Sequence, residues 1–487
     1  ASEAVGLRAI SLAGRGHGDQ AEAILARIGV DDPEGHHWAT VRAANLIWNL
    51  GRPRQASAIL DGLASTPESA PEQAERAAIE SCVDAVMARS ETAAEKARAA
   101  LRSPTLPDFH AMLASIALTI AQGALGRIDD ITDVVTEAID RAITSFQASP
   151  MRFWYGGVYA RACRLSGRID ECVRSAKQLS ESARDVPGLA YANLAFLLGY
   201  AELVRGELPA AVKLLHEALA GAEKHSVTTG LRAASCFALA EAHAKLGQSD
   251  AANDAITEAQ RCVPADYLFM QTALAVASGW VLATSGYLTD AISKVRAAGE
   301  DARKRNQPTY ELTCVQVAAQ WGDTSGSTRA RELANELSLP LADAVARHTE
   351  SLRADEGEGL LAASADYRTL GDRAAAADVA AQAAVALSRN QQRKRSLYAA
   401  ALAQQLAAEC GGLCTPALRN PIGQPLTGRQ REIIELVAAG LSNKEIAERL
   451  VTSVRTVEGH VYRAYQRLGA QSREELVEML RAGQGSS

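Results

Sequence analysis

The chain has 487 residues, too many for a single hydrophobic core, so two to four domains are expected. Hydrophobic residues make up 47% and charged residues 22%, as in ordinary globular proteins, whereas aromatics reach only 5%. Alanine is abundant, which points to an all-α chain packed through small side chains, and no stretch offers the ~18–20 uninterrupted apolar residues of a membrane span.

The net charge of −6 argues against a nucleic-acid binder until the chain is divided. From Pro421 onward Lys and Arg exceed Asp and Glu by one, so the acidity resides in the long N-terminal region. The eight cysteines are scattered. Cys163/Cys172 and Cys410/Cys414 are the closest pairs, and neither is joined by a histidine cluster at metal-ligand spacing. Reduced, buried thiols are expected, with no metal and no cofactor in this chain. The first residues lack the pattern of an export signal, so a cytoplasmic protein is expected.

A period near forty residues runs through the N-terminal region. Glycines recur between apolar helical patterns at Gly18, Gly51, Gly126, Gly167, Gly206, Gly247, Gly286, Gly326 and Gly371, and Ser90 fills the longest gap. Seven residues before each marker the side chain is small: Ser11, Ala44, Thr119, Ala160, Gly199, Ala240, Gly279, Ala319, Ser364. Five residues after it small residues recur: Ala23, Ala56, Cys172, Ala211, Ala252, Ala291, Ala376. Val83, Ile131 and Arg331 break the columns. Glycine supplies the left-handed turn that ends the first helix, and small residues let paired backbones approach. Each pair buries only part of its apolar face, so neighbours must stack into a solenoid.

This spacing, clearest from Tyr191 to Ala218, resembles the tetratricopeptide repeat across residues 5–405, with longer helices than the family's. The resemblance implies a concave groove lined by the first helix of each pair. It nominates Trp154, Tyr155, Arg161, Asn193, Phe196, Tyr200, Glu241, Trp280 and Gln320 for contact with an inducer or partner protein. Alternatively, these aromatics fill gaps between repeats. The solenoid is assigned to 1–410.

Gly411-Gly412, Pro416, Asn420-Pro421, Gly423 and Pro425 then crowd together without apolar periodicity, and 411–425 reads as a linker. Just upstream, Arg389–Arg395 is a basic run, read as a solvated helix face or an auxiliary phosphate contact.

From 426 to 482 start signals divide the chain into four helices, with a short tail at 483–487. Thr427-x-x-Gln430, Ser442-x-x-Glu445 and Ser472-x-x-Glu475 are capping boxes, and Ser453 caps the third helix. Ile433, Leu436 and Val437, then Ile446, Ala447 and Leu450, then Val454, Val457 and Val461 follow helical spacing. Val451-Thr452 leaves only a tight turn between the second and third helices, so the third is presented outward, able to enter a major groove.

Leu426-Thr427, Gly440 to Ala447, Thr456-Val457, His460, Leu468-Gly469 and Ser472-Arg473 resemble the LuxR-type helix-turn-helix nearly throughout. The resemblance implies binding to double-stranded DNA. Ser442, Asn443, Lys444, Thr456 and His460 would touch phosphates. Arg455, Glu458, Gly459, Tyr462 and Arg463 would face the groove. Many members carry lysine where this chain has Glu458, so base readout there should differ. A local charge of only +1 predicts weak binding by one domain, and the family's fourth-helix dimer contact nominates Leu476, Val477 and Leu480.

Repeats followed by this domain resemble the C-terminal half of the large ATP-dependent regulators of the MalT kind. The chain has no G-x-x-x-x-G-K-[ST] loop, and it starts at Ala1 inside a helical pattern, so an upstream ATPase module is expected in the whole protein. No catalytic constellation stands out. The leading expectation is a signal-responsive transcription regulator. The alternative is a protein-interaction scaffold tethered to DNA, without a small-molecule effector.

Overall fold

The computed structural model describes residues 2–29, 32–181, 188–224, 230–419 and 428–468. Among them are 25 α-helices, two short 3₁₀ segments and no strand. Alanine supplies the reason, since it has the highest helix propensity and lets helix axes approach.

Helices from Ser2–Ala13 to Arg393–Glu409 form a tetratricopeptide-like solenoid, each packing on its neighbours in sequence. The small-residue columns sit at the helix–helix seams: Ala44, Thr119, Ala160, Ala240 and Ala319 are buried, as are Ala56, Cys172, Ala211, Ala252, Ala291 and Ala376. Gly279 shows the need for them, because a Cβ there would stand 2.7 Å from the Trp321 ring. Most of the glycine markers adopt the left-handed turn, among them Gly51, Gly126, Gly167 and Gly206. At three places the turn falls elsewhere: at Gly16 instead of Gly18, at Ala88 (φ 61°) near Ser90, and at Gly322 instead of Gly326.

The solenoid is wound tightly enough for late helices to lie on early ones. Thr309 Oγ1 donates to Gly123 O (2.8 Å) and Ala124 O (2.9 Å), and the Tyr267 hydroxyl donates to Ile47 O. Farther along, Arg373 Nε donates to Arg205 O at 2.8 Å and its Nη2 to Glu207 at 2.8 Å. Helix Asp108–Leu125, at 18 residues, is the one described helix long and apolar enough to cross a membrane, and 83% of it is buried inside this fold.

Residues 411–419 differ from a solvated linker. Gly411 (φ 81°) and Gly412 (φ 96°) turn the chain back into the array. There Cys414 N donates to Lys245 O at 2.7 Å, Thr415 is buried against Asp378, and Arg419 Nη1 donates to Thr284 O at 2.5 Å. Leu413 and Ala417 bury their side chains with them, so this half of the segment belongs to the solenoid. The glycines and proline that suggest a linker serve here as a tight reversal.

Candidate nucleic-acid interface and the solenoid axis

The C-terminal helices Gly428–Ala438, Asn443–Arg449 and Val454–Leu468 close around Ile433, Ile434, Leu436, Val437, Ile446, Ala447, Leu450, Val457 and Val461. Gly440 (φ 90°) follows the first helix. Ser442 and Glu445 form a capping box: Ser442 N donates to Glu445 Oε2 at 2.7 Å, and Glu445 N donates to Ser442 Oγ at 3.3 Å. That box holds down the Glu445 carboxyl pKa through the Ser442 hydrogen bonds. Val451 adopts a left-handed turn (φ 47°), and Ser453 Oγ then accepts from Thr456 N at 3.1 Å to start the third helix.

Val457 and Val461, one turn apart, pin this third helix to the domain core. Arg455, Thr456, Glu458 and Tyr462 remain exposed on it, with Gly459 and His460 half-buried. Ser442 and Lys444 are exposed beside them, and Asn443 is half-buried. Of the ten residues nominated for DNA contact, Ser442 caps the second helix and the other nine lie on the second and third, and none whose side chain is described is in the core. The Arg463 side chain lies outside the described residues, as do Thr427 and the fourth helix with Leu476, Val477 and Leu480.

The domain rests on the solenoid through residues outside the nominated set. Glu432, 1% exposed, accepts from Thr289 Oγ1 at 2.8 Å and Thr289 N at 3.3 Å, and Arg429 Nη1 donates to Glu432 at 2.7 Å. Arg429 also reaches Leu450 O, and the Arg449 guanidinium stacks 3.2 Å from the centroid of Tyr287. Nothing in the sequence separates Glu432 from an ordinary solvated helix carboxylate.

The residues nominated for an open groove are packed among the helices of the array, and of the nine only Trp280 and Gln320 line the small cavity described below. Tyr155, Phe196, Tyr200, Glu241, Trp280 and Gln320 are buried, and Trp154, Arg161 and Asn193 are half-buried. Trp154 packs edge-on against Trp48, Phe196 stacks on Tyr200, and Trp280 meets Trp321 edge-on. Tyr155 approaches Thr119, Arg161 lies over the Phe237 and Phe269 rings, and Asn193 donates to Leu189 O. The open-groove expectation is corrected by this self-filling, which follows from late helices folding back on early ones.

What remains at the axis is polar. Glu241 accepts from Arg164 (2.5 and 3.0 Å) and from Lys245 (2.7 Å). Burial pushes the Glu241 carboxyl up, but Arg164 and Lys245 outweigh it and hold the pKa at about 2. Lys245 sits over Trp280 at 4.7 Å. Asp378 accepts from Thr415 and, at 3.1 Å, from Gln320; burial drives its carboxyl up to about 7. A cavity of about 40 Å³ survives among Arg164, Lys245, Trp280, Gln316, Gln320 and Asp372, enough for a few waters. Two cations of the basic run are paired within the array, Arg389 with Asp355 and Arg395 with Glu358, and Arg393 and Lys394 are exposed.

Residues 424–480 match the family described as bacterial regulatory proteins, luxR family. Over 77 residues the chain is 44% identical to response regulator Rre1 of Synechocystis sp., a match covering 16% of this chain and 32% of that one. Over 53 residues it is 51% identical to oxygen regulatory protein NreC of Staphylococcus aureus, covering 11% of this chain and 24% of that one. The chain thus spans about a third and a quarter of these relatives. The Rap protein complexed with competence and sporulation factor superposes with a TM-score of 0.47 at 13% identity, over 74% of this chain and 99% of that one.

Proposed function

We propose, with residues 424–480 as a LuxR-type helix-turn-helix DNA-binding domain, that the protein is a transcription regulator whose solenoid controls that domain. The observation that carries this reading is the arrangement of the third helix. Val457 and Val461 anchor it, while Arg455, Thr456, Glu458 and Tyr462 face outward, the disposition a major-groove reader requires. Ser442, Asn443 and Lys444 at the start of the scaffold helix supply phosphate contacts, and backbone N–H groups there favour an anion.

The solenoid receives the signal and the Thr289–Glu432 and Tyr287–Arg449 contacts pass it on, because they join the two parts and leave the nominated third-helix residues exposed. Between the two classes of signal, the filled axis favours a protein partner on the outer surface over a small molecule in the groove. A cavity of about 40 Å³ admits no metabolite unless the array opens. The resemblance to regulators of the MalT kind supports an ATPase module upstream in the whole protein and pairing of two domains on DNA.

Selection of bound sequences from random duplex DNA by the intact chain, followed by footprinting, tests the proposal. A recovered motif that disappears when residues 420–487 are deleted supports it. Failure to enrich any duplex at low and moderate salt sinks it. The deletion starts after Arg419 because 411–419 are packed in the solenoid.

A further inference from the structure

Three helices, Gly35–Trp48, Ala70–Val86 and Asp108–Leu125, each bring one chemistry-bearing side chain to a common point. His37 Nδ1 lies 2.9 Å from Glu75 Oε2, and His110 Nε2 lies 3.6 Å from the same oxygen. The three residues offer ligand atoms that all fall within 4.8 Å of one another. A tetrahedral Zn²⁺ with ligands at about 2.0–2.1 Å holds its donors roughly 3.3 Å apart, so the two short edges lie within a few tenths of an ångström of what it needs.

We propose that His37, Glu75 and His110 form a binding site for a divalent transition-metal ion of the Zn²⁺ class. Two imidazoles and one carboxylate are a donor set suited to Zn²⁺ and its borderline neighbours, and unsuited to Mg²⁺ or Ca²⁺, which take oxygen.

The surroundings set Glu75 apart. Nearby carboxylates have permanent cations: Glu68 pairs with Arg76 at 2.9 Å, Glu80 with Lys96 at 3.1 Å, and Asp84 with Lys96 at 3.0 Å. Among the described residues Glu75 pairs with imidazoles alone, although its side chain is only 12% exposed. A bound dication completes its charge balance, which a neutral imidazole does not.

His110 Nε2 is engaged on one side by Thr40. Thr40 Oγ1 donates to His37 O at 2.7 Å and therefore accepts from His110 Nε2–H at 2.8 Å, a hydrogen bond that ligation through Nε2 exchanges for the bond to the ion. Its buried Nδ1 has no hydrogen-bond partner, and ligation through Nε2 moves the ring's single hydrogen there. The His37 side chain is 34% exposed, which gives the ion a route from solvent and leaves its fourth position to water. His36 points elsewhere, to Glu68 at 2.9 Å.

The test is titration of the tag-free, chelator-stripped chain with Co²⁺ and Zn²⁺. One equivalent of Co²⁺ should give the visible d–d absorption of a tetrahedral site, and one equivalent of Zn²⁺ should displace it and raise the melting temperature. His37→Ala, a change at a partly exposed position, and Glu75→Gln should each weaken binding at least about tenfold with helical circular dichroism unchanged. His36→Ala should bind as the parent does. Absence of d–d absorption at one equivalent, or absorption undiminished in His37→Ala, overturns the proposal. Should Glu75→Gln misfold, His37→Ala alone decides.

Discussion

Glu432 of the DNA-binding domain caps a helix of the solenoid: its carboxylate accepts both the backbone N–H and the hydroxyl of Thr289, in the first turn of Leu288–Lys304. First-turn N–H groups have no partner within their own helix, and a carboxylate there also meets the positive end of the helix dipole. Glu432→Gln should therefore loosen the joint without unfolding either part, at a cost of about 1 kcal/mol. Amide exchange at Thr289–Ala291 should quicken while exchange within the domain core stays slow. Unaltered exchange at Thr289 would show that the cap contributes nothing.

Lys444 and Glu458 should separate affinity from readout. Lys444→Ala should weaken binding to all duplexes about equally and lower the salt dependence by roughly one counterion. Glu458→Gln should instead change which base is preferred, since a carboxylate only accepts hydrogen bonds whereas an amide also donates. Identical selected motifs for the parent and Glu458→Gln would remove that residue from base reading.

Asp378 should make the solenoid lose stability as pH rises from mildly acidic to neutral. Its folded pKa, about 7, stands above the ordinary 3.8, so its contribution to stability is fully present below pH 3.8 and is lost as pH rises through 7. The parent's melting temperature should fall between about pH 4 and 7 and level off above that, and Asp378→Asn should flatten the fall. Parallel curves would mean that the carboxyl ionises without cost.

Glu241 has the opposite sign. With its folded pKa near 2, its contribution is present above the ordinary 4.5 and disappears as pH falls through 2. Glu241→Gln leaves Arg164 and Lys245 at the axis without their shared counter-charge, a loss of about 3–5 kcal/mol. Chemical denaturation at pH 7 measures it, and a change under 1 kcal/mol would show that water already solvates the two cations.

The repeat architecture was legible because helix pairing imposes a constraint that survives in single residues. Several of the irregularities in the columns come from the marker, although Ile131 still breaks the pattern after Gly126, where the turn does fall on the marker. With the turn at Gly16 in place of Gly18, the two columns fall on Ala9 and Ala21, both fully buried, in place of exposed Ser11 and Ala23. With the turn at Ala88, they fall on Ser81 and Ala93, also fully buried, and Val83 no longer breaks the pattern. Glycine is the common occupant of a left-handed turn, but alanine tolerates it when packing on both sides fixes the chain. Superhelix closure was not legible. The contact of Thr309 with Gly123 depends on small rotations summed over several repeats, and no local pattern records that sum. The metal cluster was hidden for a related reason: His37, Glu75 and His110 arrive one per helix pair, whereas ligand motifs are recognised by close spacing.

The anchoring of Thr415 and Arg419 sets the reach of the reading head. Arg419 is held at Thr284, in the middle of the array, and Gly428, the next described residue, follows nine positions later, so the two lie no farther apart than about 30 Å. A head that lets go of Thr289 is therefore confined near its cradle at a local concentration of roughly millimolar order, and recapture is fast. On the proposed function, even a weak latch then keeps the head at the array while Arg455, Thr456, Glu458 and Tyr462 stay open to duplex.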